Sequence, residues 1–237
     1  MPIENLILAP MSFRSRLTYF LAHRLKISHT QARQMLSEGR VKLNGKTTRH
    51  NENYTPYCEI KADDTLVSKA HLFTYAMYYK PRGVECTFNL TIPNNLAAQL
   101  PKHLKGMYHV GRLDKNSEGL LLFTNDGNLH NKLMLPEAHI QKIYLVETEQ
   151  PITSELLNGM KNGVELNGKI AFAKEVQYLS DYAFRIVLTQ GMNRQIRRVC
   201  FKLGNYVTKL TRIQLGNLEL GNLQASQYRW VKREDIF

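Results

Sequence analysis

The chain has 237 residues, of which 43% are hydrophobic, and a formal net charge of +12. This length allows one large domain or a small domain followed by a medium one, and the excess of basic residues favours a polyanionic partner such as nucleic acid. The three cysteines, Cys58, Cys86 and Cys200, lie far apart, which disfavours a disulfide framework and a cysteine-based zinc site. No apolar run approaches transmembrane length and no secretory signal opens the chain, so we expect a cytoplasmic protein that does not enter a membrane.

The N-terminal region predicts two short helices followed by a small hairpin, after a loose leader at residues 1–12. Apolar residues at helical spacing over 17–25 predict the first helix. Ser28 and Gln31 have the spacing of a capping box, which predicts the start of a second helix that Gly39 ends. Asn44-Gly45 predicts a two-residue hairpin turn.

The sequence of this region resembles that of the S4 RNA-binding domain over residues 13–70. The matching residues are Ser28, Thr30, Ala32, Arg33, Leu36, Gly39, Val41, Asn44, Gly45 and Lys46. In S4 domains the helix pair presents basic residues to RNA phosphates, so the resemblance implies RNA contacts here. The candidates are Arg14, Arg24, Lys26, Arg33, Arg40, Lys42 and Lys46, each of which could equally be an ordinary solvated charge.

Residues 73–237 are predicted to form a second domain, which residues 67–72 connect to the first. Its patterns predict strands that alternate with a few helices. We expect strands at 75–79, 120–124, 143–149, 169–179, 183–190 and 206–215. We expect helices at 129–135, at 153–160, and from an N-cap at Asn193 to Gly204. The predicted fold class is α+β, with a large, mainly antiparallel sheet.

One carboxylate, Asp114, lies in a polar loop that leads directly into the predicted buried strand at 120–124. Glycines flank it at positions 111 and 119. An acidic side chain that a loop holds against a buried strand is a rigid way to present a catalytic group. Asp114 is therefore the first candidate for a catalytic residue.

Residues 109–127 resemble motif II of the RNA pseudouridine synthases, in the RsuA/RluF branch, with RluF-type members the most similar. The matching segments are Gly111-Arg112-Leu113-Asp114, Glu118-Gly119-Leu120-Leu121-Leu122 and Thr124-Asn125-Asp126-Gly127. Three other segments also match: Lys80-Pro81-Arg82-Gly83 resembles motif I, Lys142-Ile143-Tyr144 a K-x-Y element, and Asn193-Arg194-Gln195-Ile196-Arg197-Arg198 the family's arginine helix. The resemblance implies the pseudouridine synthase fold and isomerisation of a flipped-out uridine in structured RNA. It favours a stem-loop of 23S ribosomal RNA, and it allows a tRNA as well.

The resemblance also implies roles for individual residues. Asp114 is the catalytic carboxylate, Arg197 pairs with it and keeps it ionised, and Tyr144 lies against the target base. For Tyr144 the alternative is an ordinary core aromatic on a strand. Arg112 could contact an RNA phosphate or brace the loop, and we favour a role in orienting the flipped nucleotide. Arg194 is expected to contact the RNA, and Leu188 is expected in or under the pocket floor.

The implied reaction detaches uracil from C1′ of the ribose, turns it, and rejoins it through C5. No redox change occurs, and the chain lacks the nucleotide-binding and zinc-protease motifs. We therefore expect no cofactor and no metal. We also expect a protein that acts as a monomer. Asp114 could attack the sugar, attack the base, or take a proton from C2′, and the residues do not choose among these routes.

Two other functions remain open. The chain could be a non-catalytic RNA-binding protein of the S4 type. It could also be a metal-dependent RNA hydrolase in which Glu118 and Asp126 join Asp114 at a metal ion, although a five-residue strand of roughly 15 Å separates Asp126 from the loop.

Overall fold

The computed structural model describes residues 16–54, 58–70 and 72–236. The chain divides into two compact units, one up to Phe73 and one from Thr74 onward. The predicted leader and Arg14 lie outside the described residues. None of the helices in the described ranges is long and apolar enough to span a membrane.

The first unit packs two helices on a small antiparallel sheet. Its elements are α1 (Leu17–Leu25), α2 (His29–Ser37), β1 (Val41–Leu43), β2 (Lys46–Thr48), β3 (Ile60–Ala62) and β4 (Thr65–Ser68), with the strands in the order β2-β1-β3-β4. The apolar faces of both helices and of the central strands form one core, which includes Leu17, Leu21, Ala32, Leu36, Val41 and Ile60.

The local signals in the first unit are confirmed. The Gln31 backbone N–H donates to Ser28 Oγ at 3.1 Å, and the Ser28 backbone N–H donates to Gln31 Oε1 at 2.8 Å, so the capping box is complete. Asn44 and Gly45 join β1 to β2 with φ angles of 50° and 79°. Both residues tolerate this left-handed conformation, which the two-residue hairpin turn requires.

The second unit is a large sheet with helices packed against it. Its strands are β5 (Tyr75–Lys80), β6 (Tyr108–Val110), β7 (Glu118–Thr124), β8 (Lys142–Thr148), β9 (Val164–Leu166), β10 (Lys169–Ala171), β11 (Glu175–Ser180), β12 (Ala183–Leu188), β13 (Val207–Leu215), β14 (Leu218–Glu219) and β15 (Tyr228–Val231). Its α-helices are α3 (Leu96–Gln99), α4 (Gly127–Met134), α5 (Ser154–Asn162) and α6 (Gln195–Lys202), and short 3₁₀ helices lie at Lys102–Leu104, Pro136–Ala138 and Arg233–Asp235.

Within the described residues nine strands form one sheet. The main order is β11-β12-β8-β13-β7-β5-β15, while β14 pairs with β13 and β6 with β7. The pair β7–β13 is parallel and the other described pairs of this sheet are antiparallel. The predicted α+β class with a mainly antiparallel sheet is confirmed.

Strand β7 is buried on both faces. Leu120 and Leu122 pack in one core cluster, and Leu121 and Phe123 pack in another. Residues that alternate along a strand point to opposite faces, so the two clusters cover the two sides of the sheet. Burial of each such side chain contributes about 2 kcal/mol, which fixes the strand and the loop in front of it.

Some sequence expectations are wrong in detail. The strand expected at 169–179 is two strands, because β10 pairs with β9 in a separate two-stranded sheet while β11 joins the main sheet. Asn193 is not the N-cap of α6. Arg194 occupies that position with φ 48° and no side-chain cap, while Gln195 Oε1 accepts from the Met192 backbone N–H at 3.2 Å. Strands β6 and β15 were not expected, since each is short and is defined by its pairing.

Candidate active site

Asp114 lies in the loop that joins β6 to β7, and its side chain is half-buried. Backbone hydrogen bonds close the loop. The Ser117 N–H donates to the Asp114 carbonyl oxygen at 3.0 Å, and the Gly83 N–H donates to the Lys115 carbonyl oxygen at 2.8 Å. The second bond ties the aspartate loop to the turn of the Lys-Pro-x-Gly segment.

Lys80, the first residue of that segment, is fully buried beneath the loop. Its Nζ donates to the carbonyl oxygens of Ser117 and Pro81, both at 2.8 Å. Burial lowers the pKa of Lys80 to about 8, because a charged ammonium loses solvation in the interior. The side chain of Lys80 thus supports the aspartate loop from below.

Gly119 allows β7 to approach β13 closely. Its φ angle is 105°, and a Cβ at this position would lie 2.3 Å from the backbone oxygen of Arg212. Only glycine fits such a contact. The close approach of the two strands therefore explains why a glycine stands near the start of β7, just after the aspartate loop.

Tyr144 projects from β8 in the middle of the sheet. Its Cα partners are Ile186 on β12 and Arg212 on β13. The ring packs against two of the core clusters and lines the large cavity described below. This packing fixes the ring in one position while one part of it stays accessible.

The predicted ion pair between Arg197 and Asp114 is not formed. Arg197 Nη2 donates to the Asn116 carbonyl oxygen at 2.7 Å and Nη1 to the Val207 carbonyl oxygen at 2.9 Å. No ion pair in the described part of the chain joins Arg197 to a carboxylate. The physical reason is that these two backbone carbonyls hold Nη1 and Nη2, while the buried Nε has no hydrogen-bond partner.

Arg197 nevertheless acts on the aspartate loop, since Asn116 is two residues from Asp114. Burial and the positive charge of Arg194 lower the pKa of Arg197, whereas the negative charge of Asp114 raises it. An arginine remains protonated under these conditions. The loop therefore has a cation within electrostatic range of the carboxylate.

A cavity of about 860 Å³ opens in the second unit. Asp114, Tyr144, Arg112, Leu188 and Arg194 all line it, while Arg197 lies outside the lining. Leu188 is 4% exposed, and Arg112 and Arg194 are exposed. The volume is in the range of small-molecule sites and suits one extruded nucleotide.

The charge of the cavity is mainly positive. Among the described residues that line it, five are lysine or arginine and two are acidic. The basic ones are Arg112, Lys142, Lys169, Arg194 and Arg212, and the acidic ones are Glu85 and Asp114. Such a lining attracts a phosphate-bearing ligand.

Among the charged residues of the lining, sequence reasoning missed Glu85, Lys142, Lys169 and Arg212. Lys142 stands in the K-x-Y element, so its motif could have marked it. Arg212 had only a weak signal, an arginine amid the apolar residues of a predicted strand. Glu85 follows a turn and carries no pattern at all.

The expected RNA-binding residues of the first unit fall into two groups. Arg24, Lys26, Arg33 and Lys46 are exposed and form no ion pair with another described residue. Arg40 binds Asp63 through two bonds of 2.6 Å, and Lys42 lies 2.6 Å from Asp64. The second group is therefore partly neutralised.

The acidic residues of the metal-hydrolase alternative are engaged elsewhere. Glu118 accepts hydrogen bonds from the hydroxyls of Tyr79 and Thr211, each at 3.1 Å. Asp126 caps α4 by accepting from the Leu129 backbone N–H at 3.0 Å. Within the described ranges no three histidine, cysteine or acidic side chains group as a metal site would require.

Comparison with known proteins identifies the family of the chain. Residues 74–202 match the family model described as RNA pseudouridylate synthase. The chain is 32% identical over 223 residues to the dual-specificity RNA pseudouridine synthase RluF of Escherichia coli K12, which covers 93% of this chain and 77% of that protein. It is also 32% identical over 229 residues to the ribosomal large subunit pseudouridine synthase B of Bacillus subtilis 168, which covers 93% of each.

A crystal structure of a pseudouridylate synthase superposes with a TM-score of 0.65 at 28% identity, covering 93% of this chain and 97% of that one. The chain belongs to the RNA pseudouridylate synthase family. The resemblance of residues 109–127 and the three other motif segments to the RNA pseudouridine synthases is confirmed, whereas the resemblance of residues 13–70 to the S4 domain stays a prediction. A purely RNA-binding role is not favoured.

Proposed function

We propose that the protein isomerises uridine to pseudouridine in 23S ribosomal RNA, with Asp114 as the catalytic carboxylate. The observation that carries the proposal is that Asp114 and Tyr144 line one cavity of about 860 Å³ whose other charged residues are mostly basic. A cavity of this kind suits a single nucleotide turned out of an RNA stem.

The chemistry needs few groups. The N1–C1′ bond of uridine breaks, the base turns, C5 bonds to C1′, the C5 proton leaves and N1 gains a proton. Atoms and electrons balance without a redox partner. Asp114 either forms a bond to the nucleotide or takes the C2′ proton, and the aromatic ring of Tyr144 holds the base by stacking.

Arg197 serves in this proposal as a positioning residue. Its bond to the Asn116 carbonyl oxygen fixes the aspartate loop, and its guanidinium places a positive charge near that loop. Leu188 forms part of the cavity floor, and the exposed Arg112 and Arg194 contact the RNA backbone and orient the flipped nucleotide.

The choice of RNA rests on relatives. One is named as a dual-specificity RNA pseudouridine synthase and another as a ribosomal large subunit pseudouridine synthase. We therefore infer 23S ribosomal RNA as the main substrate and a tRNA as a second one. The first unit acts as an S4-like RNA-binding domain, with Arg24, Lys26, Arg33 and Lys46 on phosphates, and the protein works as a cytoplasmic monomer.

A label-release assay tests the reaction class. The protein is incubated with ribosomal RNA or bulk tRNA that carries tritium at uridine C5, with and without EDTA. We expect tritium release from ribosomal RNA of unchanged length, and EDTA has no effect. Shortened RNA whose formation EDTA stops would indicate a nuclease, and binding without release would indicate a non-catalytic protein.

A further inference from the structure

Arg212 is a buried cation that the proposed mechanism leaves without a role. It is 2% exposed in the middle of β13. Its Nε donates to the Leu120 carbonyl oxygen at 2.7 Å, while its buried Nη2 has no hydrogen-bond partner. None of the ion pairs among the described residues includes it. Burial of a charge without a counter-ion opposes folding, so its presence calls for another explanation.

The strand register places Arg212 beside the expected position of the base. Arg212 is the Cα partner of Tyr144, and residues directly opposite on neighbouring strands project from the same face. Lys142 precedes Tyr144 by two residues and shares that face. All three line the cavity. Burial lowers the pKa of Lys142, and the charge of Arg212 lowers it further, which indicates that the two cations lie near each other.

The isomerisation itself creates a negative charge at this place. When N1–C1′ breaks, its electron pair stays with uracil and spreads over N1, O2 and O4. The charge persists until C5 bonds to C1′, after which the C5 proton leaves and N1 takes up a proton. On the basis of the proposed function, we infer that Arg212, with Lys142 beside it, stabilises the detached uracil anion. A fixed donor in a water-poor site stabilises such charge without having to reorganise.

The depth of Arg212 favours the base over a phosphate as its ligand. The RNA backbone remains at the cavity mouth when a base is flipped, where the exposed Arg112 and Arg194 are available. A guanidinium that is 2% exposed and opposite Tyr144 meets the base instead. Its Nη2 is buried and has no hydrogen-bond partner, so a uracil oxygen that reaches the guanidinium meets a donor that is not already engaged.

Changing the leaving group tests this role. Arg212→Met and Arg212→Lys are compared with wild type in the full chain, on an RNA stem-loop that the wild type modifies. The target position carries uridine or 5-fluorouridine, and loss of the starting nucleoside is followed in single turnovers at saturating protein. Fluorine withdraws electrons and stabilises the anion, so the fluorinated base needs less help from the protein.

We expect Arg212→Met to slow the uridine reaction about 100-fold and the 5-fluorouridine reaction about 10-fold, with Arg212→Lys intermediate and the RNA Kd unchanged. Arg229→Met, at an exposed arginine on β15, is the matched control and leaves both rates unchanged. Because the buried charge is unpaired, Arg212→Met keeps or raises Tm.

Equal slowing of the reactions of the two substrates overturns the inference. A higher RNA Kd with an unchanged rate at saturation also overturns it, because that result would indicate a phosphate contact. If Arg212→Met fails to fold, the two substrates are compared in Arg212→Lys, and equal slowing there overturns the inference as well. Failure of the proposed function is a separate outcome, since wild type would then not modify the uridine RNA.

Discussion

At the scale of single residues, the aspartate loop depends on side chains that bind its backbone from the protein interior. Lys80 is the clearest case, because its buried ammonium donates to the Ser117 and Pro81 carbonyl oxygens rather than to a carboxylate. Desolvation lowers the pKa of Lys80 to about 8. The protein thus keeps a destabilised cation where it supports the aspartate loop.

The pH dependence of stability tests this picture of Lys80. Its folded pKa lies below the unfolded value of 10.5, so the unfolded chain binds more protons between pH 8 and pH 10.5, and stability rises with pH there. Relative to Lys80→Met, the free energy of unfolding of the wild type should increase by roughly 2–3 kcal/mol over this window. Urea denaturation at several pH values measures the difference. The exposed Lys105→Met is the control and should show no such trend; a flat difference for Lys80→Met would contradict the burial argument.

The sequence motifs identified individual site residues but not the contacts that these residues make in the fold. Asp114 and Tyr144 were named from segments of their own, and both line the cavity. The Arg197–Asp114 contact failed because a motif does not specify which acceptor an arginine selects, and here backbone carbonyls are nearer. Arg212 was missed because its role depends on the register between β8 and β13, which only the folded sheet defines.

At the scale of elements, the parallel contact between β7 and β13 determines where the loop begins. Gly119 pairs with Arg212 in this contact, with a φ angle of 105°. A side chain would collide with the backbone of β13, and no rotamer change relieves a backbone contact. The element therefore tolerates only glycine at this position.

A pair of alanine substitutions measures that constraint. Gly119→Ala should lower the free energy of unfolding by roughly 2–4 kcal/mol, because it adds both backbone strain and a clash. Gly127→Ala is the matched control, since a Cβ at the first turn of α4 meets nothing within 4 Å. Thermal unfolding of both variants provides the comparison. Equal Tm values for the two would show that β7 can move away from β13.

Helix starts and turns were predicted correctly where neighbouring residues carry the signal. Strand bounds were predicted incorrectly where the pairing between strands determines them. The capping box at Ser28 and the Asn44-Gly45 turn involve neighbouring residues, and both are present. The break between β10 and β11 carries no comparable local signal, because the two strands differ only in which sheet each joins.

At the scale of the whole molecule, the net charge of +12 is unevenly available to RNA. In the first unit some basic side chains are exposed and unpaired within the described residues, such as Arg24, Lys26 and Arg33. Others are neutralised by acidic partners, as Arg40 is by Asp63. The pairing pattern, which composition does not reveal, selects the candidates for phosphate contacts.

Salt dependence of RNA binding separates the two groups. The triple variant Arg24→Gln, Lys26→Gln, Arg33→Gln should reduce the slope of log Kd against log salt by about 2, since each lost phosphate contact removes about 0.7–0.9. The matched triple variant changes the ion-paired residues Arg40, Lys42 and Lys61 to glutamine and should alter the slope much less. Fluorescence anisotropy over a salt series measures both, and equal slopes would contradict the assignment.

The most direct measurement compares the two acidic residues that line the cavity, Asp114 and Glu85. Tritium release and RNA Kd are measured for Asp114→Asn and Glu85→Gln on labelled ribosomal RNA. Asp114→Asn should bind RNA as wild type does and release no tritium, whereas Glu85→Gln should retain turnover. Release by Asp114→Asn, or its loss only in Glu85→Gln, would contradict the assignment of Asp114 as the catalytic carboxylate.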